Sequence, residues 1–126
     1  MLTRKNFSSN GKYESIVGYS RAVKVGDFIF VSGTTGVGSE PADSYNQAKR
    51  AIENIKIALT QAGSSLEEVV RTRIFVHPNA DWKGIARAHQ ESFGSILPAN
   101  TMLVSNFLDP KILVEIEADA ISGQQK

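Results

Sequence analysis

The chain has 126 residues, 41% of them hydrophobic, no cysteine, and a formal net charge of +1 from 14 basic and 13 acidic side chains. That size and composition predict one globular domain over residues 1–126, and the missing cysteines exclude a disulfide framework, a thiolate nucleophile and a cysteine metal site. The interspersed charges give no electrostatic footprint for nucleic acid, and no run of about 18 apolar residues offers a membrane span.

The N-terminal MLTRKNFSSNGKY lacks the apolar centre of a secretion signal, so the expected location is cytoplasmic. A short strand is expected near residues 3 to 8. The runs 22-AVKV-25 and 28-FIFVS-32 are β-prone and separated by Gly26-Asp27, which predicts an antiparallel hairpin. After the turn-rich 33-GTTGVGSEPA-42 the period changes: Tyr45, Ala48, Ile52, Ile55, Leu59 and Ala62 recur at spacings of three and four. This pattern predicts an amphipathic helix opened near Asp43 or Ser44 and stopped by Gly63.

The segment 69-VVRTRIFV-76 is β-branched and aromatic enough for a strand, ended by His77-Pro78-Asn79 because proline supplies no ladder donor. Asp81 then caps a second helix with Trp82, Ile85, His89, Phe93 and Ile96 on one stripe, broken at 97-LPAN-100. Two further strands, 100-NTMLVSN-106 and 112-ILVEIEADAI-121, are joined at Leu108-Asp109-Pro110. The order is β-β-α-β-α-β-β, an α+β fold with both helices on one face of a mostly antiparallel sheet.

In the last strand Glu115, Glu117 and Asp119 alternate with Val114, Ile116, Ala118 and Ala120, so the acids fall on the face opposite the helices. Arg71 and Arg73 alternate in the same way, and Phe28, Phe30 and Phe75 also need a place. One layer of two helices covers one side of a sheet only. A subunit interface on the other side is the economical expectation.

The segments 18-GYSRAVKVGDFIFVSGTTG-36, 62-AGSSLEEVVRTRIFV-76, 93-FGSILPANTMLV-104 and 114-VEIEADAI-121 together resemble the YjgF/RidA (Rid) family of imine and enamine deaminases, in order and spacing, over nearly the whole chain. The resemblance implies a chorismate-mutase-like fold, a homotrimer whose sheets form a central barrel, and small-molecule clefts between subunits. It also implies cofactor-free hydrolysis of a C=N bond. By the same resemblance the first acid of the VEIEA motif, Glu115, would orient the attacking water; its alternative is an ordinary interface or solvated acid. Tyr19 would line the cleft or be a boundary aromatic. Gly33 would admit a ligand to the backbone, or the strand would turn sharply at 33-GTTG-36.

The family carries a P-A-R-[ST] motif whose arginine clamps the substrate carboxylate, whereas this chain reads 98-PANT-101. Asn100 brings no charge, so a carboxylate there would lose a charge-assisted pair. The family's helix asparagine falls at Ala86 and its cysteine at Met102. Arg21, two residues from Tyr19, is the first candidate for a substitute cation, followed by Arg87 and His89; His89 on an apolar stripe also fits a packed core-boundary histidine. The expected function is hydrolysis of an imine, enamine or related metabolite with altered substrate preference, with Glu115 catalytic and Tyr19, Gly33, Asn100, Met102 and Arg21 shaping the pocket. The alternative is a non-catalytic trimeric small-molecule binder. A third reading, RNA cleavage, draws no support from the charge balance.

Overall fold

The computed structural model describes residues 2–125. Its strands are β1 (Arg4–Phe7), β2 (Ala22–Val25), β3 (Phe28–Thr35), β4 (Val69–Val76), β5 (Ala99–Val104) and β6 (Val114–Ile121), with helices α1 (Ser44–Gln61) and α2 (Trp82–Phe93). A π-type turn at Glu14–Gly18 and a 3-10 turn at Leu66–Glu68 complete the elements. The six strands form one sheet in the order β1-β2-β3-β6-β4-β5. Every neighbouring pair is antiparallel except β4 with β5, which run parallel because α2 carries the chain back across the sheet.

Both helices begin where an aspartate satisfies an orphan N–H: Asp43 accepts from the Asn46 amide at 2.8 Å, and Asp81 from the Gly84 amide at 3.1 Å. At the far end of α1, Gly63 takes φ +79°. Ser64 N then donates to Leu59 O at 2.8 Å and Gly63 N to Thr60 O at 3.0 Å, the paired bonds of a Schellman closure that a side chain at position 63 would strain. The second helix ends at Phe93, short of the expected break at 97-LPAN-100. Leu97 supplies the stop through a left-handed conformation at φ 55°, with its amide donating to Phe93 O.

The core lies between the helices and one face of the sheet. Ala48, Ala51, Ile52, Ile55, Ala58 and Leu59 of α1 and Ile85, Ala88 and Phe93 of α2 are buried against Ile29, Val31, Ile74, Val114, Ile116 and Ala118. Each large aliphatic residue in this set contributes about 1.5–3 kcal/mol by leaving water. Trp82 does not join them. It stands 55% exposed at the first turn of α2, because its position at the helix start turns it off the sheet.

The opposite face carries the alternating charges. Arg71 pairs in register with Asp119, Arg73 with Glu117 and Phe75 with Glu115, and directly paired residues share a side of the sheet. Arg73 Nη1 reaches Glu117 Oε1 at 3.1 Å and Asp119 Oδ2 at 3.4 Å. Two of the three acids therefore face an arginine of the next strand. On the same side Phe28 and Phe30 are 51% and 48% exposed, alongside β6.

Candidate functional site

Glu115 is the acid that Arg73 does not hold. It sits near the start of β6 between Thr35 of β3 and Phe75 of β4, half-buried, and no hydrogen bond reaches its carboxylate among the described residues. Burial pushes its pKa above the usual carboxylate range, the Arg21 guanidinium opposes that shift, and the neighbouring Glu117 charge adds to it.

Gly33 forms the wall against this carboxylate. A Cβ at position 33 would lie 2.6 Å from Glu115 Oε2 and 2.8 Å from its carboxyl carbon. The sharp turn weighed for 33-GTTG-36 is not what the glycine serves, since β3 continues to Thr35. The register between β3 and β6 shifts between Val31 and Thr34, so Ser32 and Gly33 form a bulge that bends the strand beside the acid.

Arg21 braces the bulge from β2's approach. Its Nη1 donates to Gly33 O at 2.9 Å and to Thr34 Oγ1 at 3.1 Å, and its guanidinium lies 5.7 Å from the centre of the Tyr19 ring. Four sequence-predicted residues, Tyr19, Arg21, Gly33 and Glu115, thus stand at one end of the sheet.

Sequence reasoning missed Glu14. This buried carboxylate accepts from Ser8 Oγ, Ser9 N, Ser9 Oγ and Gly11 N, and its backbone oxygen accepts from the Tyr19 amide at 3.0 Å. The Ser9 hydroxyl chiefly, against the cost of burial and with help from Ser8 and the two amides, holds its pKa at about 2. Glu14 therefore fixes the loop that delivers Tyr19. The available signal was the run 8-SSNG-11 upstream of a lone acid, a set of small donors suited to wrapping a carboxylate.

Asn100 and Met102 lie elsewhere. They project from β5 to the helix side of the sheet, in register with Thr72 and Ile74, and line a cleft of about 230 Å3 with Ala86, His89, Phe93 and Leu97. Asn100 Nδ2 donates to Thr72 Oγ1 at 3.0 Å, and Thr72 Oγ1 meets His89 Nε2 at 2.9 Å. Burial lowers the His89 pKa, which favours the neutral ring, and the ring packs 4.6 Å from that of Phe93. Arg87 lies over the Tyr45 ring at 4.0 Å and lines neither place. A single chain does not join the Asn100 cleft to Glu115, because they occupy opposite faces with β4 between their strands.

A larger depression of about 300 Å3 beside Gly36–Ala42 contains none of the predicted residues. Gln47 at its base is occupied by Lys111 O, Ala42 O and the Leu113 amide. Among the described residues no three His, Asp or Glu side chains cluster as metal ligands, and no helix is long and apolar enough to cross a membrane.

The family model described as Endoribonuclease L-PSP matches residues 10–122. The crystal structure of Rv2704 from Mycobacterium tuberculosis, a member of the YjgF/YER057c/UK114 family, is 44% identical and superposes with a TM-score of 0.88 over 94% of this chain and 99% of that one. A RutC family protein of Pyrococcus abyssi is 37% identical over 81% of this chain and 84% of its own. The 2-iminobutanoate/2-iminopropanoate deaminase of Mus musculus is 29% identical over 97% of this chain and 94% of its own.

Proposed function

The chain belongs to the YjgF/RidA family, and from that premise we propose that it hydrolyses the C=N bond of a small imine or enamine tautomer, with Glu115 as the acid–base residue. The observation that carries this reading is the state of Glu115: half-buried, without a hydrogen-bonded partner among the described residues, raised in pKa and seated against a glycine backbone. A carboxylate so placed can take a proton from water and return it later, since its pKa is displaced toward the working pH.

The reaction balances with the chain's own groups. Water adds through oxygen to the imine carbon while Glu115 takes one water proton and passes it to the nitrogen, which receives the C=N π electrons. In the resulting carbinolamine Glu115 takes the hydroxyl proton as the C=O bond forms and delivers it to nitrogen as the C–N bond breaks. The products are one carbonyl compound and one ammonia. Tyr19 and Gly33 shape the approach to the carbon, and Arg21 moderates the charge of Glu115.

The site is completed by further copies of the chain in a homotrimer. This rests on the exposed Phe28 and Phe30 of the second face and on β5, a sheet edge whose outer side has no strand and whose residues are mostly exposed. The Asn100 cleft then belongs to the same active site as a neighbour's Glu115, and its lack of a cation alters substrate preference. The reading is tested by generating imines in situ in 18O-labelled water and following both products. Equimolar ammonia and 18O-labelled carbonyl compound, formed faster with protein than without, support it. A rate no higher with protein than without it, for carboxylated and uncharged imines alike, overturns it.

A further inference from the structure

The cleft on the helix side of β5 has walls of one kind. Ile74, Ala86, Phe93, Leu97 and Met102 are apolar, and its polar members, Asn100, Gln90 and the neutral His89, carry no charge. Its hydrogen-bonding polarity is set by how Asn100 is held. The amide nitrogen has two N–H groups and two acceptors on one residue: Thr72 Oγ1 at 3.0 Å and Thr72 O at 3.4 Å. Turning the amide over would place Oδ1 3.4 Å from a backbone carbonyl oxygen, so the bonded orientation is the favoured one.

Thr72 is fully buried, and its hydroxyl oxygen accepts from Asn100 and lies 2.9 Å from His89 Nε2. The two contacts to Thr72 engage both N–H groups of the amide. What Asn100 leaves for a ligand is the acceptor Oδ1.

Resting on the C=N reading above, we propose that this cleft selects an uncharged, hydrogen-bond-donating group, such as a carboxamide or hydroxyl, and rejects a carboxylate. The substrate is then the uncharged, donor-bearing counterpart of an α-imino acid. A carboxylate entering here would leave water for apolar walls, meet no cation among the residues that line the cleft, and set its lone pairs against Oδ1. A carboxamide of the same shape carries no charge and gives Oδ1 an N–H.

The test uses butyramide and butyrate, which match in shape, titrated into the full chain and followed by protein chemical shifts. Wild type is expected to bind butyramide about tenfold more tightly or better. Thr72→Val frees the amide to turn its nitrogen outward and should reduce the preference below about threefold. Asn100→Arg, at an exposed position, should invert it. Butyrate binding equal to or tighter than butyramide, no binding of either probe, or an unchanged preference in Thr72→Val each overturns the proposal. Probe binding requires no turnover, so the two readings separate. The expected preference without ammonia release from any imine upholds the cleft's selectivity and overturns hydrolysis. Release from an α-imino acid as fast as from its amide does the reverse.

Discussion

Gly33→Ala isolates the geometry of the proposed reacting acid, Glu115, from the stability of the fold. The new methyl carbon would lie 2.6 Å from Glu115 Oε2. Restoring an ordinary contact of about 3.5 Å requires roughly 0.9 Å of movement. The atoms in the way belong to the end of a side chain, and Gly33 does not need the left-handed backbone region that alanine resists. The carboxylate therefore swings aside, and the fold loses about 1 kcal/mol or less, at the low end of overpacking. For a domain of this length that is a fall of roughly 3–6 °C in Tm. Catalysis is less forgiving: an ångström of misplacement costs on the order of 10²-fold, or about 2.7 kcal/mol of transition-state stabilisation. Thermal unfolding and ammonia release should be measured on the same preparation, with any imine that wild type hydrolyses. Activity within threefold of wild type in a variant whose Tm falls by no more than about 6 °C would show that the Gly33–Glu115 contact does not set the reacting geometry.

Two substitutions should move the acid limb of the rate profile in opposite directions. With Glu115 as the base proposed above, the rate should rise with pH as it ionises; Arg21→Gln removes the opposing cation and should shift the limb to higher pH, whereas Glu117→Gln removes a like charge and should shift it to lower pH. A kcat profile that neither variant displaces would mean that another group titrates. Glu117→Gln should also cost less than about 1 kcal/mol of stability by denaturant unfolding, because its pair with Arg73 is partly exposed. Leu97→Asn should raise Tm by roughly 3–6 °C, since Leu97 is 79% exposed in a left-handed conformation that asparagine adopts at about 1 kcal/mol lower cost. A fall in Tm would show that Leu97's contacts outweigh its backbone strain.

The local features of this fold were legible because local chemistry fixes them. Asp43 and Asp81 mark helix starts, Gly63 marks a stop, and the alternation in 114-VEIEADAI-121 assigns each side chain to a face of the sheet. The two-faced logic also placed Arg73 with the acids before their partners were known. Strand order was not legible. Nothing in residues 114–121 states that the last strand inserts between β3 and β4, because that choice is made by packing among distant segments. The bulge at Ser32 and Gly33 was hidden for the same reason, being a property of the pairing with β6. Among the site residues, Tyr19 was named by the family resemblance and Arg21 by its i, i+2 spacing from it. The orientation of Asn100 was beyond reach, since it depends on Thr72, 28 residues away, and on His89.

Glu115→Gln separates an acid–base role for this carboxylate from a structural one. The substitution keeps the side chain's shape and removes its basicity. A group whose folded pKa is raised above its unfolded value opposes folding once pH exceeds the unfolded pKa, so losing this charge should leave Tm at pH 7.5 unchanged or higher. The decisive measurement is ammonia release from an in situ imine by wild type and by Glu115→Gln at equal protein concentration, with light scattering reporting whether each is the proposed trimer. The account predicts that the variant remains a folded trimer and returns the rate to the uncatalysed value. A folded Glu115→Gln trimer releasing ammonia at the wild-type rate would contradict it.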